Sequence, residues 1–209
     1  MLGRATAALL TAAVLVGCTS TPANSFSDKL DSETATTVTV MDAPVELLSE
    51  ATRGAQSDPF AYIAPFETDR MGERALYLWV SAPQNNGPLA EPKLSCDGRQ
   101  MSLQPVSGSL AEFKLSRAPY VVPAPWSAEW YFRLSQESLD CLSTAQGIAL
   151  ETQPQKGDPE HFTASGKALA ALQTFARRDV HAPLAFPHRY HRCGGCTVRT
   201  HRADLRMRD

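Results

Sequence analysis

Along most of this chain apolar residues recur with a period closer to two than to 3.6, in short runs separated by turn formers, which predicts strands. Residues 37–41 alternate, with Val38 and Val40 on one side. Residues 60–66 form a second extended run that Pro59 and Pro65 should limit. Residues 74–81 set Leu76, Leu78 and Val80 against Tyr77 and Trp79; a run apolar on both faces predicts a central strand. Asp97-Gly98 lies between two apolar arms, and Asp-Gly favours a two-residue hairpin turn. With Cys96 opposite Arg99, Leu94 falls opposite Met101 on the same face. Further strands are predicted over 110–115, 127–135 (Trp130, Phe132 and Leu134 sharing a face) and 147–153, with residues 156–159 turning the chain towards Phe162.

Two segments switch to the helical period. Ser135 can cap a short helix that turns Leu139 and Leu142 inward. Ser165 can cap a longer one with Leu169, Leu172 and Phe175 or Ala176 as its apolar stripe. Many short strands and a single convincing helix predict a mainly β fold, either β-sandwich-like or a sheet packed with one C-terminal helix. Residues 37–178 supply enough chain for one domain with its own core.

The N-terminus breaks the pattern. After a single early charge, Arg4, residues 5–16 are Ala, Leu, Thr and Val, too short to span a bilayer and proportioned like a secretory apolar region. The run closes on Leu15-Val16-Gly17-Cys18. These four residues resemble the lipobox of bacterial lipoproteins. The resemblance implies removal of residues 1–17, diacylation of the Cys18 thiol and usually a third acyl chain on its amine, making the membrane a partner. Two or three acyl chains anchor a protein durably where one does not. Thr19 stands where an aspartate often retains such proteins at the inner membrane, which implies the outer membrane, with the body in the periplasm. Residues 19–36 carry only Phe26 and Leu30 as large apolar side chains, so 18–36 is expected to be a lipidated, flexible tether with a reach of about 25 Å.

Charge divides the chain further. The formal net charge is −2, yet residues 177–209 hold eight Arg against three Asp, a local +5 that leaves −7 for the rest. An acidic body argues against nucleic acid as a partner. After Arg178 the composition turns abruptly to Arg, His, Pro, Cys and Gly without apolar periodicity, predicting a basic, disordered tail over 179–209. The abruptness also fits translation in a shifted reading frame of a GC-rich gene. Within the tail, Cys193-Gly-Gly-Cys196 with His188, His191 and His201 offers tetrahedral zinc ligands. Redox use of Cys193 and Cys196 lacks the strand and helix N-terminus that would lower a thiol pKa. In an oxidising compartment, Cys96 and Cys141 pair as a disulfide or remain two buried thiols.

Catalytic signatures are sparse. His161 is the single histidine of the body, and the sequence contains no Gly-x-Ser-x-Gly elbow, His-Glu-x-x-His, P-loop or dinucleotide-type glycine pattern. Glu129, Glu137, Asp140 and Glu151 could supply a carboxylate pair only if the fold brings two together. Residues 119–131 are rich in proline and aromatics; Tyr120 and Trp126 on this stiff segment form either a platform for a sugar, peptide or partner protein, or a cover for one end of the core. The sequence thus points to an outer-membrane-anchored, non-catalytic binding or scaffold module, with an envelope protein as possible partner. The alternative is a metal-capturing or metal-sensing lipoprotein using the C-terminal Cys/His cluster, and an enzyme comes third.

Overall fold

The computed structural model describes residues 26–51, 60–84, 87–122 and 124–180. Eleven strands appear in chain order: β1 Phe26–Asp31, β2 Thr36–Met41, β3 Val45–Ser49, β4 Phe60–Arg70, β5 Glu73–Pro83, β6 Lys93–Cys96, β7 Arg99–Gln100, β8 Gln104–Val106, β9 Ser127–Arg133, β10 Gly147–Thr152 and β11 Glu160–Ser165. The helices are α1 Leu110–Phe113, α2 Gln136–Thr144 and α3 Ala170–Val180, the last entered through a 3-10 turn, Gly166–Leu169. Every strand pairing is antiparallel, in the order β7-β6-β10-β11-β3-β4-β5-β9-β8, with β2 on β4 and β1 on β2. Of the two architectures expected, the curled sheet packed with helix is the one observed.

The long hairpin of β4 and β5 organises the sheet, and β5 has the two-faced burial its sequence predicts. Leu78 and Val80 enter the main core with Ile63, Phe132, Leu150 and Phe162, covered by Leu139 and Leu142 of α2 and by Leu172 and Phe175 of α3. Tyr77 and Trp79 enter a second, aromatic core on the opposite face with Phe66, Phe113 and Tyr120. The Asp97-Gly98 turn forms as predicted: Cys96 pairs with Arg99, both turn residues have positive φ (49° and 75°), and the Met101 N–H donates to the Leu94 carbonyl.

Four expectations need correction. First, Pro65 does not end its strand, because β4 continues to Arg70. Counting back from the two-residue turn at Met71-Gly72, Pro65 and Leu78 form a non-hydrogen-bonded pair, so Pro65 directs its carbonyl away from β5. On that far edge β4 changes partner, from β2 (through Phe66) to β3 (from Ile63 onward). Pro65 therefore occupies the one position where no ladder N–H is required. Second, residues 110–115 are not a strand. Ser109 Oγ accepts the Glu112 N–H, Lys114 closes the turn at φ 57°, and the short helix α1 drives Phe113 into the aromatic core.

Third, the tether expected over 18–36 overlaps β1, which pairs with β2 from Phe26↔Met41 to Asp31↔Thr36. Composition gave no hint of it, because polar contacts and one aromatic hold this edge strand: Phe26 meets the Phe175 ring edge-on at 6.1 Å, while Leu30 stays exposed. Fourth, the Ser165 side chain makes no capping bond; the 3-10 turn intervenes, and Leu169, Leu172, Phe175 and Ala176 are all buried as the stripe predicts. The Ser135 cap and the inward Leu139 and Leu142 are as predicted.

Candidate functional site

The segment between α1 and β9 closes over the aromatic core, and Tyr120 is its keystone. Its ring stacks on Trp79 at 5.2 Å and meets Phe66 edge-on at 6.2 Å. Its hydroxyl donates to the Pro65 carbonyl at 2.6 Å and accepts the Met41 N–H at 3.0 Å. Those are the two backbone groups stranded where β2 gives way to β3. Burial pushes the Tyr120 phenol far above its ordinary range, so it remains neutral. Tyr120 thus covers the core, and the alternative, a platform of Tyr120 beside Trp126, does not form.

Trp126 behaves differently. It is 61% exposed between Pro125 and the first residue of β9, its carbonyl accepting the Gln84 N–H at 3.0 Å. Val121, next to the buried Tyr120, is 87% exposed. A proline-stiffened segment thus buries one aromatic and presents Val121 and Trp126 to solvent. Periodicity could not reveal Val121, since an apolar residue beside an aromatic is ordinarily assigned to the core. Fixing φ lowers the entropy lost on ordering, so prolines help such a segment hold apolar side chains outward.

The described residues also form open grooves, of which two bear on the candidate residues. One, of about 450 Å³, runs between β1 and residues 115–119. The Asp31 carboxylate crosses its floor, accepting the Ser116 N–H and Oγ–H, and these bonds hold its pKa below the usual carboxylate value. The other, of about 550 Å³, lies between the β6–β7 hairpin and α2, beside Cys141. Cys96 and Cys141 sit at disulfide distance, with Cα atoms 6.3 Å apart, joining the sheet to α2 across 45 residues of sequence. In the chain-entropy model a bridge of that span contributes about 4 kcal/mol.

Charged side chains are drawn into structural bonds. Buried Glu67 on β4 takes Arg74 of β5 at one carboxylate oxygen and Arg178 of α3 at the other, 2.7 Å away. Arg178 also reaches Asp28 on β1 at 3.2 Å and lies over the Phe26 ring at 5.1 Å. Glu129 accepts the Trp79 indole N–H at 2.7 Å, and burial, then Glu129, pushes the Tyr131 phenol up to about 12. Glu151 pairs with Lys93 at 2.8 Å, which lowers its pKa. Of the four candidate carboxylates, Glu129 and Glu151 are thus engaged on different strands, while Glu137 and Asp140 lie on α2 beside the second groove. Asp97 Oδ1 accepts two N–H groups, of Gln146 and Gly147, both at 2.8 Å.

Cys18 and the tail residues His188, His191, Cys193, Cys196 and His201 lie outside the described residues. Among the described residues, no group of three His, Cys, Asp or Glu side chains could hold a metal ion, and no helix is long and apolar enough to cross a membrane. Comparison with protein-family models, with characterised proteins and with solved structures finds no match to this chain.

Proposed function

We propose that this chain is a lipoprotein of the bacterial outer membrane, anchored through acylated Cys18, whose periplasmic body is a non-catalytic binding or scaffold module. The observation that carries the reading is the Leu15-Val16-Gly17-Cys18 motif, placed eight residues ahead of the first strand of a folded body. The Cys96–Cys141 pair suits an oxidising compartment. Binding rather than turnover is favoured by how the body uses its polar groups. Glu67 is neutralised by two arginines, Glu129 is held by an indole, and Asp31 and Asp97 accept backbone N–H groups. A general acid or base needs a carboxylate poised to exchange a proton with substrate. These carboxylates hold elements together.

The anchor is tested by metabolic labelling with a fatty acid in a bacterial host. The parent chain should incorporate label and fractionate with the outer membrane; Cys18→Ser should do neither and accumulate as precursor. Equal labelling of the two refutes the assignment. The binding role is tested by in-cell cross-linking from the body: a discrete envelope-protein adduct supports it, and a body that cross-links to nothing removes the scaffold reading.

A further inference from the structure

Strand directions place the exposed tryptophan on the side of the sheet from which the chain approaches β1. β1 runs antiparallel to β2, β2 to β4, β4 to β5 and β5 to β9, so β1 and β9 run the same way and the chain enters both from one end. Trp126 immediately precedes β9, and Phe26 opens β1. Four strand spacings, about 19 Å, separate the two strands, and the registers set Phe26 level with Phe132, so Trp126 lies six residues, about 20 Å, further out along the strand direction. Val121 lies nearer the level of Phe26: Phe26 pairs with Met41, whose N–H binds the hydroxyl of Tyr120, the residue beside Val121. Eight peptide steps join Cys18 to Phe26, a span of at most about 29 Å. An acylated Cys18 would therefore have reach enough, about 29 Å against about 20 Å, for the level of Trp126 to meet the bilayer surface.

We propose that Val121 and Trp126 are a second membrane contact, entering the headgroup region of the bilayer that receives the Cys18 acyl chains and so fixing the body's orientation on it. The inference rests on the lipoprotein reading. Its chemistry is that of the lipid interface: tryptophan favours the headgroup level, where one end of the indole is apolar and the other wet, and an exposed aliphatic neighbour adds apolar area. Proline-fixed backbone keeps both side chains outward before any membrane is met. Exposed apolar residues within the anchor's reach, on a loop whose other aromatic is buried, find their apolar partner in the lipid.

The test uses the mature, acylated chain reconstituted in phosphatidylethanolamine/phosphatidylglycerol vesicles, with or without bromine on the acyl chains as a contact quencher. Trp79 is fully buried and Trp130 half-buried, so the emission lost in Trp126→Phe reports the third indole. Brominated lipid should remove at least half of that emission, and vesicle binding should shield it from aqueous acrylamide at least twofold. Val121→Asp, a change at an exposed position, should reduce both effects while near-ultraviolet circular dichroism shows the body intact. Identical emission in brominated and plain vesicles overturns the proposal, as does unchanged acrylamide access. Shielding that appears only after an envelope protein is added also overturns it and assigns the surface to a protein. The mass of the N-terminal peptide is read from the same sample: an acylated Cys18 with unquenched Trp126 defeats this inference alone, whereas an unmodified Cys18 defeats the lipoprotein reading with it.

Discussion

Replacing Tyr120 by Phe isolates the work of one hydroxyl. The ring stays, and with it the stack on Trp79 and the edge contact with Phe66. What goes is the bridge between the Met41 N–H and the Pro65 carbonyl, both buried where β4 changes partner. A buried donor or acceptor left without a partner costs about 1–3 kcal/mol. Two such groups, partly relieved by relaxation, give an expected loss of about 3 kcal/mol. In a chain of this size each kcal/mol moves the melting temperature by about 2–4 °C, so the variant should melt about 6–12 °C lower. Its urea midpoint should fall with the slope unchanged, since the surface exposed on unfolding is the same. Tyr131→Phe is the control: its hydroxyl meets Glu129 at 3.4 Å near solvent, and its loss should stay within about 0.5 kcal/mol. If Tyr120→Phe were as mild as the control, the account of Pro65 and the split partner strand would be wrong.

Three further outcomes are expected. Gly108→Ala should destabilise the body by about 1–3 kcal/mol, because Gly108 has φ +69° and a Cβ there would lie 2.7 Å from the Tyr131 ring; an unchanged urea midpoint refutes this. Asp31 has its pKa lowered chiefly by the Ser116 N–H, so its stabilisation is complete above the ordinary carboxylate pKa of about 4 and is lost as pH falls through the lower folded value. Asp31→Asn should accordingly lose less stability than the parent between pH 6 and pH 3, and equal losses count against the bond. A chain ending at Val180 should keep the parent's melting temperature, and reduced full-length protein should carry no zinc. Stoichiometric zinc that vanishes when Cys193 and Cys196 become serine would make metal handling the leading function.

How legible this fold was depended on whether side-chain periodicity or backbone bookkeeping decided an element. β5, the β6–β7 turn, β9 and α2 followed from local pattern because each has a face whose burial fixes its register. The extension of β4 through Pro65 was invisible, since a proline in a central strand is tolerable only where the neighbouring strand breaks, and that break lies twenty residues earlier in the chain. β3, with Val45 and Leu47 buried in alternation, carried a usable signal that Pro44 and its brevity obscured. α1 was misread because Leu110, Phe113 and Leu115 fit either period, and its Ser109 cap decides the matter. Of the aromatic segment, sequence supplied both residues and left open which faces solvent. The answer lies in a long-range bond from Tyr120 to Met41, 79 positions away.

β1 shows how polar contacts outside any groove can set where the folded body begins. Among the described residues its outer edge is unpaired and Phe26 is its one large apolar side chain packed on the main core, so backbone pairing with β2 would be marginal alone. Arg178 changes that balance by joining three things at once: the buried Glu67 carboxylate, Asp28 and the Phe26 ring. Glu67 would be costly to bury unpaired, and Arg74 with Arg178 offsets that cost. In the proposed lipoprotein, with β1 closed by this cluster, eight peptide steps separate acylated Cys18 from the first paired residue, Phe26. Were the strand to open as far as Thr36, that reach would more than double, to about 65 Å at full extension, and the proposed membrane contact would lose its positional restraint. The ion cluster and the exposed loop are thus two parts of one arrangement. Under the proposed anchoring the first shortens the tether, and a shorter tether narrows the orientations in which Val121 and Trp126 meet the bilayer.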